Sequence, residues 1–400
     1  MRMTAIMGVL SLVACSSEED PHTAAVEVVE AGATTALGDP LPGLAPDLLA
    51  RFTAGKEEFE TAEAPDEGLG PVFNGDSCVA CHSVPAPGGS STLVETRFGR
   101  VGPDGVFDPL ANLGGSLIQT TGFGTVGGCT IVGETVPGIA NVQAGRRTTP
   151  LFGLGLVDAT PDGTFIVLAA AERLLPDGLA GKVSRVTNVE TGNTAVGKFG
   201  WKCAVPTLHV FSGDAYVNEM GITSPFFPND GCPQGDCSLL ATCDPVLDPE
   251  DDGEDVGKFA DFMGLLAPPP HPSLSLRGAA GAILFASLNC AGCHTPVLVT
   301  GSNAIPQLNR VTFFPFSDFL LHDMGSLGDG IVQGAAGARE MRTAPLWGVS
   351  RQPFFLHDGR ATTLDAAILA HDGQGRKARD RFAALSAANR ALVVQFLTEI

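Results

Sequence analysis

The chain has 400 residues, of which 44% are hydrophobic and only 6% aromatic, and it contains 50 glycines and 29 prolines. This length suits two or three domains, and the composition predicts a sizeable core with many loops. The formal charge of −20 argues against a nucleic-acid-binding protein, which needs a basic surface. An acidic surface would suit a basic partner protein, although solvation is the commoner reason for one.

The first fifteen residues have the pattern of an export signal. Arg2 precedes an apolar run that is too short to span a membrane, and the run ends in Leu12-Val13-Ala14-Cys15. This ending resembles the bacterial lipoprotein signal, and a polar, acidic stretch follows it. We therefore predict a signal over residues 1–15 and an exported, periplasmic protein whose only membrane contact is a lipid anchor on Cys15. An ordinary secretory peptide with an incidental cysteine is the alternative.

The N-terminal half combines a tether, a few helices and a long glycine-rich region. Residues 16–45 are rich in alanine, glycine, proline and acidic residues, which predicts a flexible tether. Four apolar residues at helical spacing then predict a helix over residues 46–61. The other elements expected are loops and short strands at 84–145, a helix at 164–172, a hairpin across 182–198, an acidic surface loop at 249–255 and a short helix at 258–266.

Three consecutive prolines at positions 268–270 mark the expected boundary between an N-terminal domain, residues 46–267, and a C-terminal domain, residues 268–400. In the C-terminal half, the sequence predicts a helix at 275–288, a helix at 364–371 capped by Thr363 and a helix at 387–397 capped by Ser386. These elements together predict a mainly α fold with loop-rich and short β insertions.

One five-residue motif occurs twice, as Cys78-Val79-Ala80-Cys81-His82 and as Cys290-Ala291-Gly292-Cys293-His294. Two thiols at this spacing can each form a thioether to one porphyrin, and the histidine can then ligate the iron. A structural zinc site or a disulfide is the alternative, but zinc sites rarely need a histidine directly after the second cysteine. The sequence therefore predicts two covalently bound c-type haems, one in each of two cytochrome c-type domains.

A second repeat follows each motif. The segment Arg-Thr-Thr-Pro-Leu-Phe-Gly at 147–153 matches Arg-Thr-Ala-Pro-Leu-Trp-Gly at 342–348. Two pairs of repeats in the same order favour a duplicated domain.

Five cysteines remain outside Cys15 and the haem motifs, namely Cys129, Cys203, Cys232, Cys237 and Cys243. This odd number permits at most two disulfides and leaves one thiol. We expect one pair within the loop at 232–243, but the sequence does not determine the pairing. A second metal site in this loop and a redox-active thiol are weaker alternatives.

The sixth ligand of each iron decides its chemistry, because a second methionine or histidine makes an electron carrier and an open position binds small molecules. We predict Met324 as the sixth ligand of the second haem, with His322 and then Met341 as alternatives. At the first haem, Met220 or His209 could close the iron.

Glu219, which immediately precedes Met220, is the candidate catalytic residue. A carboxylate beside an open haem could take a proton from the near oxygen of peroxide and deliver it to the leaving oxygen. The alternative is an ordinary surface glutamate.

Several stretches, taken together, resemble the bacterial di-haem oxidoreductases labelled predicted thiol oxidoreductases. These stretches are residues 68–83, 147–158, 199–202 with 214–223, 290–296, 317–325, 342–348 and 355–367. The family is more distantly similar to bacterial di-haem cytochrome c peroxidases, in which a Pro-Leu step precedes His-Asp-Gly and a Thr-Leu helix. In those peroxidases a Glu-Met-Gly turn, matched here at 219–221, supplies the acid over a peroxide-binding N-terminal haem. The resemblance also implies electron input at the C-terminal haem, whereas the cysteines give the thiol label no support.

The sequence thus predicts an exported di-haem c-type cytochrome oxidoreductase. Electrons from a small redox donor protein would enter at the C-terminal haem and reach the N-terminal haem, which binds an oxidant such as hydrogen peroxide. Trp201 and Trp347 are either stepping stones for these electrons or core residues, and calcium is a further candidate cofactor with no assigned ligand. The alternatives are an electron-transfer lipoprotein with two six-coordinate irons and a haem-based sensor.

Overall fold

The computed structural model describes residues 35–400 except 127, 239 and 272. The predicted signal, Cys15 and most of the tether lie outside the described residues. The fold is mixed, with 36% of residues helical and 16% in strands, so strands contribute more than the mainly α prediction implied. No helix in the described part of the chain combines the length and apolar character that crossing a membrane requires.

The helices are distributed along the whole described chain. They are α1 (Pro46–Glu60), α2 (Cys78–Cys81), α3 (Leu154–Asp158), α4 (Asp162–Glu172), α5 (Leu208–Ala215), α6 (Leu240–Cys243), α7 (Glu254–Leu265), α8 (Leu276–Ser287), α9 (Leu364–Leu369), α10 (Arg376–Ala384) and α11 (Ala387–Glu399).

The strands are short and all pair antiparallel. They are β1 (Val72–Phe73), β2 (Val94–Val101), β3 (Phe107–Asp108), β4 (Thr121–Gly122), β5 (Gly124–Val126), β6 (Cys129–Ile131), β7 (Val142–Arg147), β8 (Ser184–Thr187), β9 (Thr194–Gly197), β10 (Leu298–Val299), β11 (Thr312–Phe313), β12 (Leu321–Asp323) and β13 (Glu340–Arg342). The largest described sheet has the order β3-β2-β7, and β2 pairs with β7 from Val94 opposite Arg147 to Gly99 opposite Val142.

Each haem motif follows a helix that crosses a later helix at close range. Helix α1 precedes the first motif and packs on α7, and α8 precedes the second motif and packs on α11. A glycine permits each crossing: a Cβ on Gly55 would lie 2.2 Å from the Lys258 carbonyl oxygen, and a Cβ on Gly281 would lie 2.0 Å from that of Leu392. The two halves therefore repeat one arrangement of helices around their motifs.

The α1–α7 crossing gives a direct test of this packing. Gly55→Ala places a methyl group against the α7 backbone, and we expect a loss of about 1–3 kcal/mol of unfolding free energy, as for other overpacked sites. Gly257→Ala on α7 is the matched control, because a Cβ there meets no atom within 4 Å. The control should stabilise the helix by about 0.5–1 kcal/mol, and thermal denaturation compares the two variants. Equal effects at both glycines would contradict the crossing.

The larger buried apolar cluster extends across the predicted domain boundary. It is formed mainly by α1, α3, α5 and α7, but it also includes Phe313, Phe319 and Trp347. A second cluster contains Phe285 of α8 and Phe396 of α11. The two halves thus share apolar contacts, and the boundary at 268 stays a prediction.

Most expected helices form close to their predicted bounds, because their caps are local. Thr363 accepts from the Ala366 amide and Ser386 accepts from the Asn389 amide, as expected for N-caps. Helix α9 nevertheless ends at Leu369, two residues earlier than predicted. The hairpin also forms, as β8 and β9.

The acidic stretch at 249–255 differs from the predicted surface loop. Asp251 is buried, and its Oδ1 accepts hydrogen bonds from the amides of Gly253 and Asp255. Helix α7 starts at Glu254, inside the stretch. The acidic residues are therefore partly helical, because carboxylates are favoured at the amide-rich N-terminus of a helix.

Two disulfides form, Cys129–Cys243 and Cys232–Cys237, and the second lies inside the expected loop. Among the described residues, Cys203 is the remaining thiol outside the haem motifs. It is fully buried, and burial raises its pKa to about 12, so it has no thiolate at neutral pH. The structure therefore gives the thiol label no support either.

Candidate haem sites

Two large cavities, each partly open to solvent, lie beside the two motifs. The centres of water molecules can occupy about 260 Å³ in the N-terminal cavity and about 200 Å³ in the C-terminal cavity. One water needs roughly 10–15 Å³ by this measure, and close-packed interiors contain few larger voids. Both walls are mostly apolar. The cavities therefore fit bulky, largely apolar groups such as porphyrins.

The two motif histidines have the same hydrogen-bond pattern. Nδ1 of His82 lies 3.0 Å from the Gly89 carbonyl oxygen, and Nδ1 of His294 lies 3.0 Å from that of Phe316. Burial lowers the pKa of each imidazole to about 4, so both rings are neutral. When Nδ1–H donates to the carbonyl, the Nε2 lone pair is left for a metal, and such a partner orients iron-binding histidines.

The four motif cysteines border the same cavities and form no disulfide. Burial raises the pKa of Cys78 to about 12 and that of Cys81 to about 11, so these thiols stay protonated at neutral pH. Each motif brings its two thiols and its histidine to the wall of one cavity, as haem attachment through two thioethers requires. The motif residues thus fit a covalently attached haem.

Glu219 borders the N-terminal cavity on a short π-helical turn, Tyr216–Met220, that directly continues α5. Asn74, from the loop before the first motif, donates from Nδ2 to its carboxylate over 2.8 Å. The Asn74 amide also donates to the Glu219 carbonyl oxygen over 2.7 Å. The turn is therefore fastened to the motif loop, and π-turns of this kind often occur at functional sites.

A partly buried cluster of charged groups surrounds the Glu219 carboxylate. Glu95 and Arg97, two residues apart on β2, form an ion pair of 2.8 Å between Oε1 and Nε. Burial and the Glu95 charge raise the pKa of Glu219 to about 8, against the opposing effect of Arg97. Burial also raises the pKa of Asp214 to about 6. The N-terminal cavity therefore has carboxyl groups that exchange protons near neutral pH.

The sequence singled out Glu219 but missed Glu95, Arg97 and Asn74. Residues two apart on a strand share one face, so the Glu95–Arg97 pair was readable locally. The contact of this pair with Glu219, more than a hundred residues later in the chain, could not be read from the local sequence.

The sixth ligands predicted for the second haem all border the C-terminal cavity. Met324, Met341 and His322 are present in its wall together with His357 and His371. Both ring nitrogens of His322 have partners, since Nε2 lies 2.9 Å from Asp318 Oδ2 and Nδ1 lies 2.9 Å from Gln374 Oε1. His322 thus has no free nitrogen for an iron.

His209 does not border the N-terminal cavity. Its Nδ1 pairs with Glu190 over 3.2 Å at the surface. The sulfur-containing side chains of Met220 and Met263 do border the cavity. Among the lining residues described, His82 is the only histidine.

Trp201 borders both cavities, whereas Trp347 borders neither. The Trp201 indole donates from Nε1 to the Arg147 carbonyl oxygen over 2.9 Å, and the Arg147 guanidinium lies 5.7 Å from its ring centre. Trp201 is therefore fixed between the two cavities.

Four carboxylates, from Asp230, Asp244, Asp248 and Glu250, converge, with one oxygen of each within 4.8 Å of the others. Both oxygens of Asp230 are inaccessible to solvent, and no donor in the described part of the chain reaches them. Burial and the neighbouring carboxylates raise the pKa of Asp230 to about 8. A proton or a cation is therefore needed between these groups.

The two cavities and their motif histidines define a protein of the di-haem class. A family model described as "Di-haem oxidoreductase, putative peroxidase" matches residues 139–400, and the chain belongs to this family. The chain is therefore an oxidoreductase of peroxidase-like type that uses two haems, and the predicted family membership is confirmed. No curated protein matches the chain.

Similar solved structures include hydrazine synthase from Kuenenia stuttgartiensis, which is 14% identical to this chain. The match covers 99% of this chain and 100% of that chain, with a TM-score of 0.42. The diheme peroxidase BthA from Burkholderia thailandensis is 17% identical over 92% of this chain and 91% of its own, with a TM-score of 0.39.

Proposed function

We propose that the protein is an exported di-haem c-type cytochrome peroxidase with one reactive site and one electron-entry site. Electrons from a small redox donor protein enter at the C-terminal site and reach the N-terminal site, where a peroxide-type oxidant is reduced. The observation that carries this proposal is the position of the partly buried Glu219 in the wall of the same cavity as His82. A carboxyl group that exchanges protons near neutral pH is what peroxide reduction needs there.

Bound haem supplies redox-active iron with a coordination position for the oxidant. Cys78 and Cys81 would hold it through thioethers, and His82 would bind the iron through Nε2 while Gly89 orients the ring. The corresponding residues of the C-terminal site are Cys290, Cys293 and His294.

Glu219 takes a proton from the oxidant and returns it to the leaving oxygen. Asn74 keeps the carboxylate at the cavity wall through its 2.8 Å hydrogen bond. Arg97 stabilises the ionised form of Glu219, whereas the negative charge of Glu95 disfavours it. The two carboxylates, Glu95 and Glu219, therefore exchange a single proton between them and the oxidant.

The two sites belong to two cytochrome c-type domains in this proposal. Its support is that the helix preceding each motif crosses a later helix, α1 with α7 and α8 with α11. Trp201, fixed between the cavities, is the candidate stepping stone for electrons.

Export and lipid anchoring through Cys15 are also proposals. The two disulfides support them, because such bonds persist in oxidising compartments such as the periplasm. Covalent haem agrees with the same compartment.

The acidic cluster around Asp230 is the candidate calcium site. Calcium prefers several carboxylate oxygens as ligands. The two Asp230 oxygens are buried and accept no hydrogen bond from the described residues, so they need a positive partner. Calcium at about a hundredfold excess over its dissociation constant should stabilise the protein by about 2.7 kcal/mol, raising the melting temperature by several degrees. Differential scanning calorimetry with calcium and with chelator measures this shift. Asp230→Asn should abolish it, and no shift in the parent protein would rule the site out.

A pure electron carrier remains the second candidate, because Met220 and Met263 border the N-terminal cavity and a thioether could close that iron. Peroxide consumption with a reduced donor separates the two functions. The peroxidase predicts multiple turnovers per chain, and the electron carrier predicts none.

A further inference from the structure

We infer that His371 is the sixth ligand of the C-terminal haem iron, opposite His294, in place of the predicted Met324. This inference rests on the proposed attachment of haem at Cys290 and Cys293. The ring centres of His294 and His371 lie 6.4 Å apart, with their planes at 60°.

The separation of the rings matches that of two imidazoles on one metal. A bond from a metal to an imidazole nitrogen is about 2.0–2.1 Å, and each Nε2 lies roughly 1 Å from its ring centre. Two facing ring centres on one ion are therefore separated by about 6 Å. Packed side chains can also show this spacing, so the orientation of the ring nitrogens must distinguish a shared metal from simple packing.

The hydrogen bonds of the two rings select the required nitrogens. Nδ1 of His371 lies 2.9 Å from the Ala367 carbonyl oxygen, just as Nδ1 of His294 lies 3.0 Å from that of Phe316. Among the described residues, neither Nε2 has a hydrogen-bond partner. Both rings are thus oriented by backbone carbonyls and each keeps one nitrogen for a metal.

The end of α9 explains how His371 reaches this position. The helix ends at Leu369, and the bond from Nδ1 to Ala367 keeps the following turn compact. A Cβ on Gly375 would lie 3.2 Å from the Cδ2 atom of the His371 ring, which is a tight contact. The chain therefore folds closely around the His371 ring.

The competing residues lack these features. His322 has both nitrogens engaged with Asp318 and Gln374. The methyl group of Met324 packs towards Gly375, and Met341 lies opposite His322 in the β12–β13 pair. His357 also lines this cavity, but its ring centre lies 6.2 Å from that of Trp201. Among the described lining histidines, His371 is therefore the one that combines an unpaired ring nitrogen with a ring centre 6.4 Å from that of His294.

The two sites then differ in a way that fits their proposed roles. The C-terminal iron has a histidine on each side and is closed to oxidants, which suits electron entry. The N-terminal cavity has no second histidine among its described lining residues. The carboxyl groups of Glu95, Asp214 and Glu219 border its open space.

Near-infrared magnetic circular dichroism and electron paramagnetic resonance of the full two-haem protein test the assignment. We expect a low-spin signal of two-histidine ligation at the C-terminal iron, without the charge-transfer band of a thioether ligand. His371→Gly should lose this low-spin signal, and added imidazole should restore it. Met324→Leu and Met341→Leu, the matched controls, should leave the signal unchanged.

A thioether band that disappears in Met324→Leu or Met341→Leu would overturn the assignment, as would a low-spin signal that survives His371→Gly. Either result would leave the proposed function intact, because the haem would still be attached. A C-terminal motif that binds no haem would instead overturn both the assignment and the proposed function. His371→Met offers a variant that keeps a ligand, and it should convert the signal to that of thioether ligation.

Discussion

Glu219→Gln should reduce the rate of peroxide turnover by about 10²–10⁴-fold while leaving both haems in place. The glutamine amide can keep a hydrogen bond with Asn74, but it cannot accept the proton of the oxidant. Stopped-flow mixing with peroxide and steady-state turnover with a reduced donor measure the effect. Because the substitution is nearly isosteric, the optical spectrum should change little.

The matched control is Glu190→Gln, which removes a surface carboxylate that pairs with His209 outside the cavity. It should turn over peroxide at the parent rate. An unchanged rate in Glu219→Gln would remove Glu219 from the mechanism.

The same residue predicts the pH dependence of the reaction. Burial and the Glu95 charge raise the pKa of Glu219 to about 8, so the carboxyl is mostly protonated at neutral pH. Only the deprotonated form accepts a proton, and kcat/KM for peroxide should therefore rise as the pH increases through about 8. The rise should disappear in Glu219→Gln, since glutamine does not titrate.

Removing the cysteines of one motif at a time should produce the second large effect. Cys78→Ala with Cys81→Ala should leave one covalent haem per chain and eliminate the reaction with peroxide. Cys290→Ala with Cys293→Ala should also leave one haem, but it should retain direct reaction with peroxide and lose turnover with the donor. Mass spectrometry of the denatured chain counts the attached haems.

Cys203→Ala is the control for these variants, because Cys203 is a buried cysteine outside both motifs. It should keep two haems. Loss of peroxide reactivity in the Cys290/Cys293 variant alone, with full reactivity in the Cys78/Cys81 variant, would reverse the assignment of the two sites.

Local sequence signals predicted much of this architecture. Thr363 and Ser386 marked helix starts because an N-cap is a contact over three residues. The two haem motifs were readable because the attachment chemistry itself needs consecutive residues.

Features that depend on distant residues were not predicted. The Cys129–Cys243 disulfide joins residues 114 positions apart, and the carboxylate cluster around Glu219 joins β2 to the turn after α5. Asp251 looked solvent-exposed in an acidic stretch, yet it is buried because its carboxylate caps α7. The sequence did not single out His371, and only the fold places its ring centre 6.4 Å from that of His294.

We propose that the two irons are unlike, with an open, reactive iron at the N-terminal site and a closed iron at the C-terminal site. Electron paramagnetic resonance of the oxidised and the half-reduced protein, before and after adding peroxide, tests it most directly. We predict one iron that remains low-spin and a second iron whose signal changes with peroxide in the half-reduced protein. Two low-spin irons in both states, with no response to peroxide, would contradict it.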